Sequence, residues 1–167
     1  MQDAAKTAFD FHLQHLDGSR LSLSDFAGRP IVVVNTASLC GFTPQYGGLQ
    51  KMWSELGDSG LVILGVPSND FGRQEPGAAG EINDFCTLNF RVTFPLSAKT
   101  HVRGANADPF FKWLAAEGGF FARPRWNFYK YLIGRDGKLV DWFSSFTDPQ
   151  SHRFQEAVRN LLKAPRF

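Results

Sequence analysis

The sequence predicts an α/β fold: a central mixed sheet flanked by helices, with an N-terminal β-hairpin. Three observations carry this. Residues 31–34 (IVVV) and 61–67 (LVILGVP) are short apolar runs of the kind that make strands buried on both faces. Residues 45–57 between them have a helical pattern, so the two strands should be parallel and joined by a right-handed crossover. Two later β-rich runs, 128–134 and 138–143, flank Arg135-Asp136-Gly137, a hairpin turn that adds antiparallel strands to the same sheet.

The elements follow in order. Phe9, Phe11 and Leu13 alternate with polar residues, Asp17-Gly18 makes a turn, and Leu21 and Leu23 resume the alternation. Residues 24–28 form a short turn into the buried strand at 30–36. Thr43 is placed as an N-cap and Pro44 as the first helical residue. Tyr46, Leu49, Met52, Trp53 and Leu56 then fall near one helix face, and Gly57 and Gly60 end it. After the strand at 61–67 comes a polar, Gly-rich loop, SNDFGRQEPGAAG. Residues 81–89 read as a helix with Ile82, Phe85 and Cys86 on one side, and 94–96 as a short strand. Residues 108–117 read as a helix with Pro109 at its first position and Gly118 ending it. Residues 120–127 are a loop, and the last helix runs over 149–163.

No repeat, low-complexity segment or linker interrupts this order, so the 167 residues are read as one domain. That order, a mixed sheet covered on both faces, is the thioredoxin-like arrangement. Sites in open α/β sheets lie beyond the carboxyl ends of the parallel strands, so Cys40 and the 68–77 loop should share one edge.

Hydrophobic content is 43% and charged content 20%, ordinary for a globular chain; the 17 Phe are unusual and point to an aromatic-rich core or surface. A net charge of +2 without a long basic run argues against nucleic-acid binding. The first eleven residues lack both a basic start and an apolar core, which reads as no leader and a cytoplasmic protein. No run of about 18 apolar residues is present, so no membrane insertion is expected. Two Cys make no disulfide scaffold, and the four His show no metal-ligand spacing, so neither a metal nor a cofactor is expected. Redox chemistry is the economical use of the cysteines.

Cys40 sits between the end of a buried strand and the start of a helix. Free helix N–H groups and the positive end of the dipole favour a thiolate there, the reactive form of cysteine. A small buried hydrophobe is the alternative. Cys86, beside Phe85 and Ile82, reads from its surroundings as a core residue, although its helix could open and let the two sulfurs meet. No C-x-x-C occurs, which excludes a thioredoxin-type dithiol. Gln74, Trp126 and Asn127 read either as ordinary surface, core and turn residues or as neutral donors to one anion. In the second reading they stabilise a thiolate and a departing alkoxide without a competing charge.

Three stretches carry a resemblance. NTASLCGFTPQYGGL at 35–49 is similar to the active-site segment of the glutathione peroxidase family. VPSNDFGRQEPG at 66–77 resembles its second motif and RWNFYKYLIGRDGKLVDWFSS at 125–145 its third. The resemblance implies a thioredoxin fold and a tetrad of Cys40, the peroxidatic nucleophile, with Gln74, Trp126 and Asn127 around it. EINDFCTLNFRVTFP at 81–95 resembles the segment holding the resolving cysteine in the non-selenium, thioredoxin-dependent branch, which puts Cys86 in that role. The short stretch between Gly104 and Trp126 lacks the long insertion of tetrameric members and implies a monomer.

The implied activity is reduction of hydrogen peroxide and organic or lipid hydroperoxides through a Cys40 sulfenic acid and a Cys40–Cys86 disulfide, recycled by thioredoxin. The alternatives are a one-cysteine peroxidase using glutathione and a peroxide sensor that relays oxidation to a partner protein. A thioredoxin-fold binding module without redox chemistry is a further alternative, disfavoured because all four tetrad positions are filled. The chain departs from the family in places. Leu39 stands where a lysine is frequent, leaving the Cys40 thiolate to dipoles and hydrogen bonds. Ser68 and Asp70 replace the commoner Cys and Gln, and 103–105 reads Arg-Gly-Ala rather than a Val-Asn-Gly type.

Overall fold

The structure, a computed structural model, describes residues 6–164. Residues 1–5, part of the stretch read above as carrying no leader, lie outside it. The N-terminal hairpin is shorter than the alternation suggests. β1 (His12–Gln14) pairs antiparallel with β2 (Arg20–Ser22), Leu13 opposite Leu21. Phe9 belongs instead to a 3-10 turn, Ala8–Asp10, closed by the Thr7–Asp10 capping box, and Leu23 opens another, Leu23–Phe26. The hairpin is a separate two-stranded sheet.

The central sheet has the order β4-β3-β5-β6. β3 (Ile31–Thr36) and β4 (Val62–Pro67) are parallel and buried at every position. β5 (Lys130–Ile133) runs antiparallel beside β3, and β6 (Leu139–Phe143) antiparallel beside β5. Phe128 and Tyr129, expected in a strand, precede β5 because Phe128 has a positive φ of 65°. Residues 94–96 make only a single bridge, Leu96 with Gly65. Pro95 has no N–H to extend a ladder, though its carbonyl accepts from Gly65 N–H.

Four helices cover the sheet: α1 (Gln45–Leu56), α2 (Ala79–Phe90), α3 (Pro109–Gly118) and α4 (His152–Lys163). Asp108 caps α3, its carboxylate accepting from Phe110 N–H with Pro109 first in the helix. α4 starts three residues later than the sequence pattern suggests, because Ser151 is its N-cap. The start of α1 also differs. Pro44 occupies the N-cap position and Thr43 turns away, since its hydroxyl is spent on the preceding turn.

Alternation in the strands divides the core into two layers. Val32, Val34, Ile63 and Leu132 face one way and pack with α1, α2 and α4. Ile31, Val33, Val62, Leu64 and Ile133 face the other and pack with α3 and the N-terminal hairpin. The phenylalanines supply much of both layers: Phe154 meets Phe143 edge-on in the first, and Phe110 and Phe111 lie fully inside the second. Trp126, partly buried, packs against both layers at the sheet edge.

The route from α3 to Trp126 depends on a close approach at Gly118, where a side chain would run into Ala122 Cβ and reach within 3.2 Å of Leu139. Gly118→Ala is expected to cost about 1–3 kcal/mol through this overpacking. Urea denaturation of the variant measures the cost, and an unchanged midpoint would mean that the 119–125 segment yields freely.

Candidate active site

The carboxyl ends of β3 and β4 lie side by side, and Ser68 N–H donates to Thr36 O at 3.0 Å across them. The turn after β3 is drawn into a tight loop by Thr43. Its hydroxyl accepts from Cys40 N–H at 2.9 Å and donates to Ala37 O at 2.8 Å. Cys40 is thereby held with only 7% of its surface open, and Phe42 N–H donates to its sulfur at 3.4 Å. The expected helix-terminal position survives in altered form. The sulfur is served by an N–H of the turn that precedes α1, with the helix starting five residues on.

The 68–77 loop joins the same edge. Leu39 N–H donates to Gln74 O at 2.9 Å, fastening the residue before Cys40 to the loop. Gly72, at φ +65°, lets the loop bend, and Gln74 and Trp126 both close over it; a Cβ there would come within 3.0 Å of the indole and 3.4 Å of the Gln74 side chain. Asn127 is fully buried, and its amide nitrogen donates to Gln74 Oε1 at 2.9 Å. One of the three expected donors is thus partly committed to another. This bond turns the Gln74 N–H₂ group away from Asn127. The structure therefore brings Gln74, Trp126 and Asn127 together at the edge that carries Cys40.

Several residues that hold this arrangement escaped the sequence reading. Asn35, fully buried at the end of β3, donates through Nδ2 to Trp126 O at 2.9 Å and accepts at Oδ1 from Tyr129 N–H at 3.0 Å. Ser145 donates to Asn127 O and accepts from Gln45 Nε2. Lys130, buried and donating to the carbonyls of Ser144 and Thr147, anchors that segment; burial pushes its ammonium down to about 7. A polar side chain inside an apolar strand, as at Asn35 and Lys130, was the available signal. Asp70, one of the departures, pins the loop to the 101–103 segment by accepting from Val102 and Arg103 N–H and facing His101 Nδ1 at 2.8 Å. Partial burial would raise its carboxyl, but these donors hold it below the usual carboxylate range.

Cys86 lies on α2, 1% exposed, in the same core layer as Cys40, and both are free thiols. Burial pushes Cys86 up to about 11; the Tyr46 hydroxyl facing it pulls the other way and the charge of Glu75 adds to the rise. The helix around it has no side-chain cap at its N-terminus, while Arg91 and Val92 N–H donate to the carbonyls of its last turn. Its N-cap is Ala78, which offers no side-chain acceptor, and it ends on Arg91 in a left-handed conformation at φ 52°. A polar cap in place of alanine typically contributes about 1 kcal/mol, and a left-handed non-glycine residue costs about 1–2 kcal/mol.

A thiol at the strand–turn–helix edge of a thioredoxin-like sheet, with the Gln74 loop fastened to its turn, is a candidate site for thiol-based redox chemistry. The comparisons narrow the class. The glutathione peroxidase family model matches residues 8–115. The chain is 47% identical over 154 residues to the hydroperoxy fatty acid reductase gpx1 of Synechocystis sp., covering 87% of this chain and 91% of that protein. It is 40% identical to the glutathione peroxidase-like peroxiredoxin 2 of Saccharomyces cerevisiae, covering 92% and 96%. The crystal structure of Trgpx in apo form superposes with a TM-score of 0.79 at 34% identity, over 97% of this chain and 99% of that one. A thiol:disulfide interchange protein, DsbE, from Chlorobium tepidum shares the fold at a TM-score of 0.66 and 20% identity. The chain belongs to the glutathione peroxidase family, and it is a peroxidase.

Glu75 gives a stability test. It is 1% exposed, and burial raises its carboxyl above the usual value against the pull of Ser38 and Lys99. A carboxyl raised in the folded state stabilises fully below its unfolded value, about 4.3, and loses that contribution as pH rises through the folded value. Relative to wild type, Glu75→Gln should therefore gain stability as pH rises from 4 to 8. Urea melts at several pH values check the sign; a gain on acidification would contradict the burial argument.

Proposed function

We propose that the protein reduces hydrogen peroxide and organic hydroperoxides by a two-cysteine cycle recycled by thioredoxin, with Cys40 as nucleophile and Cys86 as resolving thiol. The observation that carries this reading is the pair of free thiols in one core layer, the second on a weakly capped helix. Cys40 thiolate attacks the distal peroxide oxygen; the O–O bond breaks and the sulfur becomes a sulfenic acid while the other oxygen leaves as water or an alcohol. Gln74 and Asn127 amides and the Trp126 indole donate to the departing oxygen. Each donor contributes ~3 kcal/mol if it acts as an oxyanion-hole donor does. Cys86 then displaces the sulfenic oxygen as water and forms the Cys40–Cys86 disulfide. Reduced thioredoxin restores both thiols through a mixed disulfide. Because Cys86 is fully enclosed, the second step needs local opening of α2.

The surface near Cys40 suits a protein reductant. Leu39 is 63% exposed and Phe146, edge-on to Phe42, is 85% exposed, an apolar rim for a partner to cover. Two free thiols fit a reducing compartment, which supports a cytoplasmic location, and the short 104–126 stretch supports a single-domain monomer. Among the described residues no helix is long and apolar enough to cross a membrane. NADPH-coupled assays should show fast turnover with thioredoxin and thioredoxin reductase and slow turnover with glutathione and glutathione reductase. Cys86→Ser should abolish the thioredoxin-linked rate yet still yield a Cys40 sulfenic acid trapped by dimedone. Equal rates for wild type and Cys86→Ser with glutathione would favour the one-cysteine cycle, and a stable mixed disulfide with one partner, with slow turnover, would favour the sensor.

A cavity of about 470 Å³ beside Trp126 bears on the substrate. Val102, Ala107, Phe111 and Pro124 give it apolar walls, and Arg103, Lys112, Arg123 and Arg125 line it with positive charge. Arg103 in its wall lies over Phe71, which in turn packs on Trp126. Apolar walls with cations suit an acyl chain ending in a carboxylate, and the Synechocystis relative is named for hydroperoxy fatty acids. The combined Lys112→Glu and Arg123→Glu variant should lower kcat/KM for a hydroperoxy fatty acid, relative to hydrogen peroxide, about tenfold or more. An unchanged ratio would remove the cavity from substrate selection.

A further inference from the structure

Lys130 is a charged residue shut away from water. It stands in β5 between Tyr129 and Tyr131 and is fully buried. Among the described residues no carboxylate pairs with it. A cation enclosed in this way is costly unless its hydrogen bonds do something an apolar side chain could not. Its Nζ donates to the carbonyls of one short arc beyond β6: Ser144 at 3.2 Å, Thr147, and Ser145 at 3.5 Å.

That arc makes two contacts with the catalytic edge. The Ser145 hydroxyl, buried, donates to Asn127 O, and Ser145 O accepts at 2.7 Å from Nε2 of Gln45, the first residue of α1. Phe146 meets Phe42 edge-on at 5.4 Å, and Phe42 N–H is the donor to the Cys40 sulfur. Asn127 in turn donates to Gln74 Oε1 at 2.9 Å. A continuous set of contacts therefore runs from the Lys130 ammonium through the arc to Asn127 and Gln74.

We propose that Lys130 is a positioning residue for peroxide reduction: its ammonium fixes the 144–147 arc so that Asn127, and Gln74 through it, face the oxygen that leaves as Cys40 is oxidised. This rests on the reading of Gln74 and Asn127 as donors to that oxygen. Without the ammonium, the carbonyls it serves are left unpaired in the interior, and the arc gains by turning them to water. Ser145 then withdraws from Asn127 O. Negative charge builds on the leaving oxygen only as the O–O bond breaks, so a misplaced donor is felt in that transition state and not in the resting thiol. Lys130 touches neither the peroxide nor Cys40; it acts through Ser145 and Asn127.

The test compares two reactions of Cys40 in a Cys86→Ser background, so that one thiol reacts. The first is oxidation by hydrogen peroxide, with the sulfenic acid trapped by dimedone and counted by mass spectrometry. The second is alkylation by iodoacetamide, whose iodide leaves without needing amide donors. Lys130→Met keeps the length of the side chain and removes the ammonium. It should slow oxidation about tenfold or more while alkylation stays within about twofold. Ser145→Ala, which removes only the link to Asn127, should show the same selective loss, and it decides the matter if Lys130→Met fails to fold. Asn127→Ala, measured alongside, should slow oxidation about a hundredfold. An unchanged rate in Asn127→Ala would overturn the donor reading itself. A slow Asn127→Ala with wild-type oxidation in Lys130→Met or Ser145→Ala would overturn the positioning role alone, as would an equal loss of both reactions.

Discussion

Asn35 is the joint on which the site depends. It lies one residue from the end of β3, a strand buried at every position, and its side-chain amide satisfies one acceptor and one donor of a segment more than ninety residues away. Its own carbonyl accepts from Phe128 N–H, so three hydrogen bonds fix the 126–129 segment against β3. Without them Phe128 could not hold its left-handed backbone, and Trp126 and Asn127 would have no defined place beside the turn that carries Cys40. The fold puts β3 inside the sheet, and Asn35 fastens the 126–129 segment to the edge where Cys40 lies.

The two cysteines stand in opposite situations, and the difference is mechanical. Cys40 lies in a turn tightened by a threonine hydroxyl and receives an N–H from Phe42. Cys86 is packed among Ile82, Tyr46 and Phe94 on a helix without a polar cap. A nucleophile that meets a small diffusing substrate gains from rigidity. A resolving thiol must travel, so it gains from a helix whose local opening costs little. In the proposed cycle, the burial of Cys86 also protects it from oxidation until the sulfenic acid has formed.

Much of this was legible in the sequence where the signal is local. The two apolar runs became β3 and β4 in parallel, Asp108-Pro109 opened α3, and Arg135-Asp136-Gly137 turned the β5–β6 hairpin. The three motifs placed Gln74, Trp126 and Asn127 at one edge. What escaped was set by contacts distant in the chain. Thr43 looks like a helix cap until its hydroxyl is seen bridging Cys40 and Ala37. Residues 94–96 have strand-like composition, but Pro95 and a single neighbour leave them one bridge. Glu75 stands in a loop of polar residues, and only tertiary packing reveals that it is enclosed. Hydrogen bonds across such separations leave no periodicity to read.

The central claim is that α2 opens to deliver Cys86 to Cys40. Hydrogen–deuterium exchange with mass spectrometry, before and after one equivalent of hydrogen peroxide, tests it directly. The account predicts that amides of residues 82–90 lose protection in the oxidised protein, while β3 and β4 stay protected and a linked Cys40–Cys86 peptide appears. Unchanged protection across α2, with Cys86 still a free thiol after Cys40 has been oxidised, would contradict it.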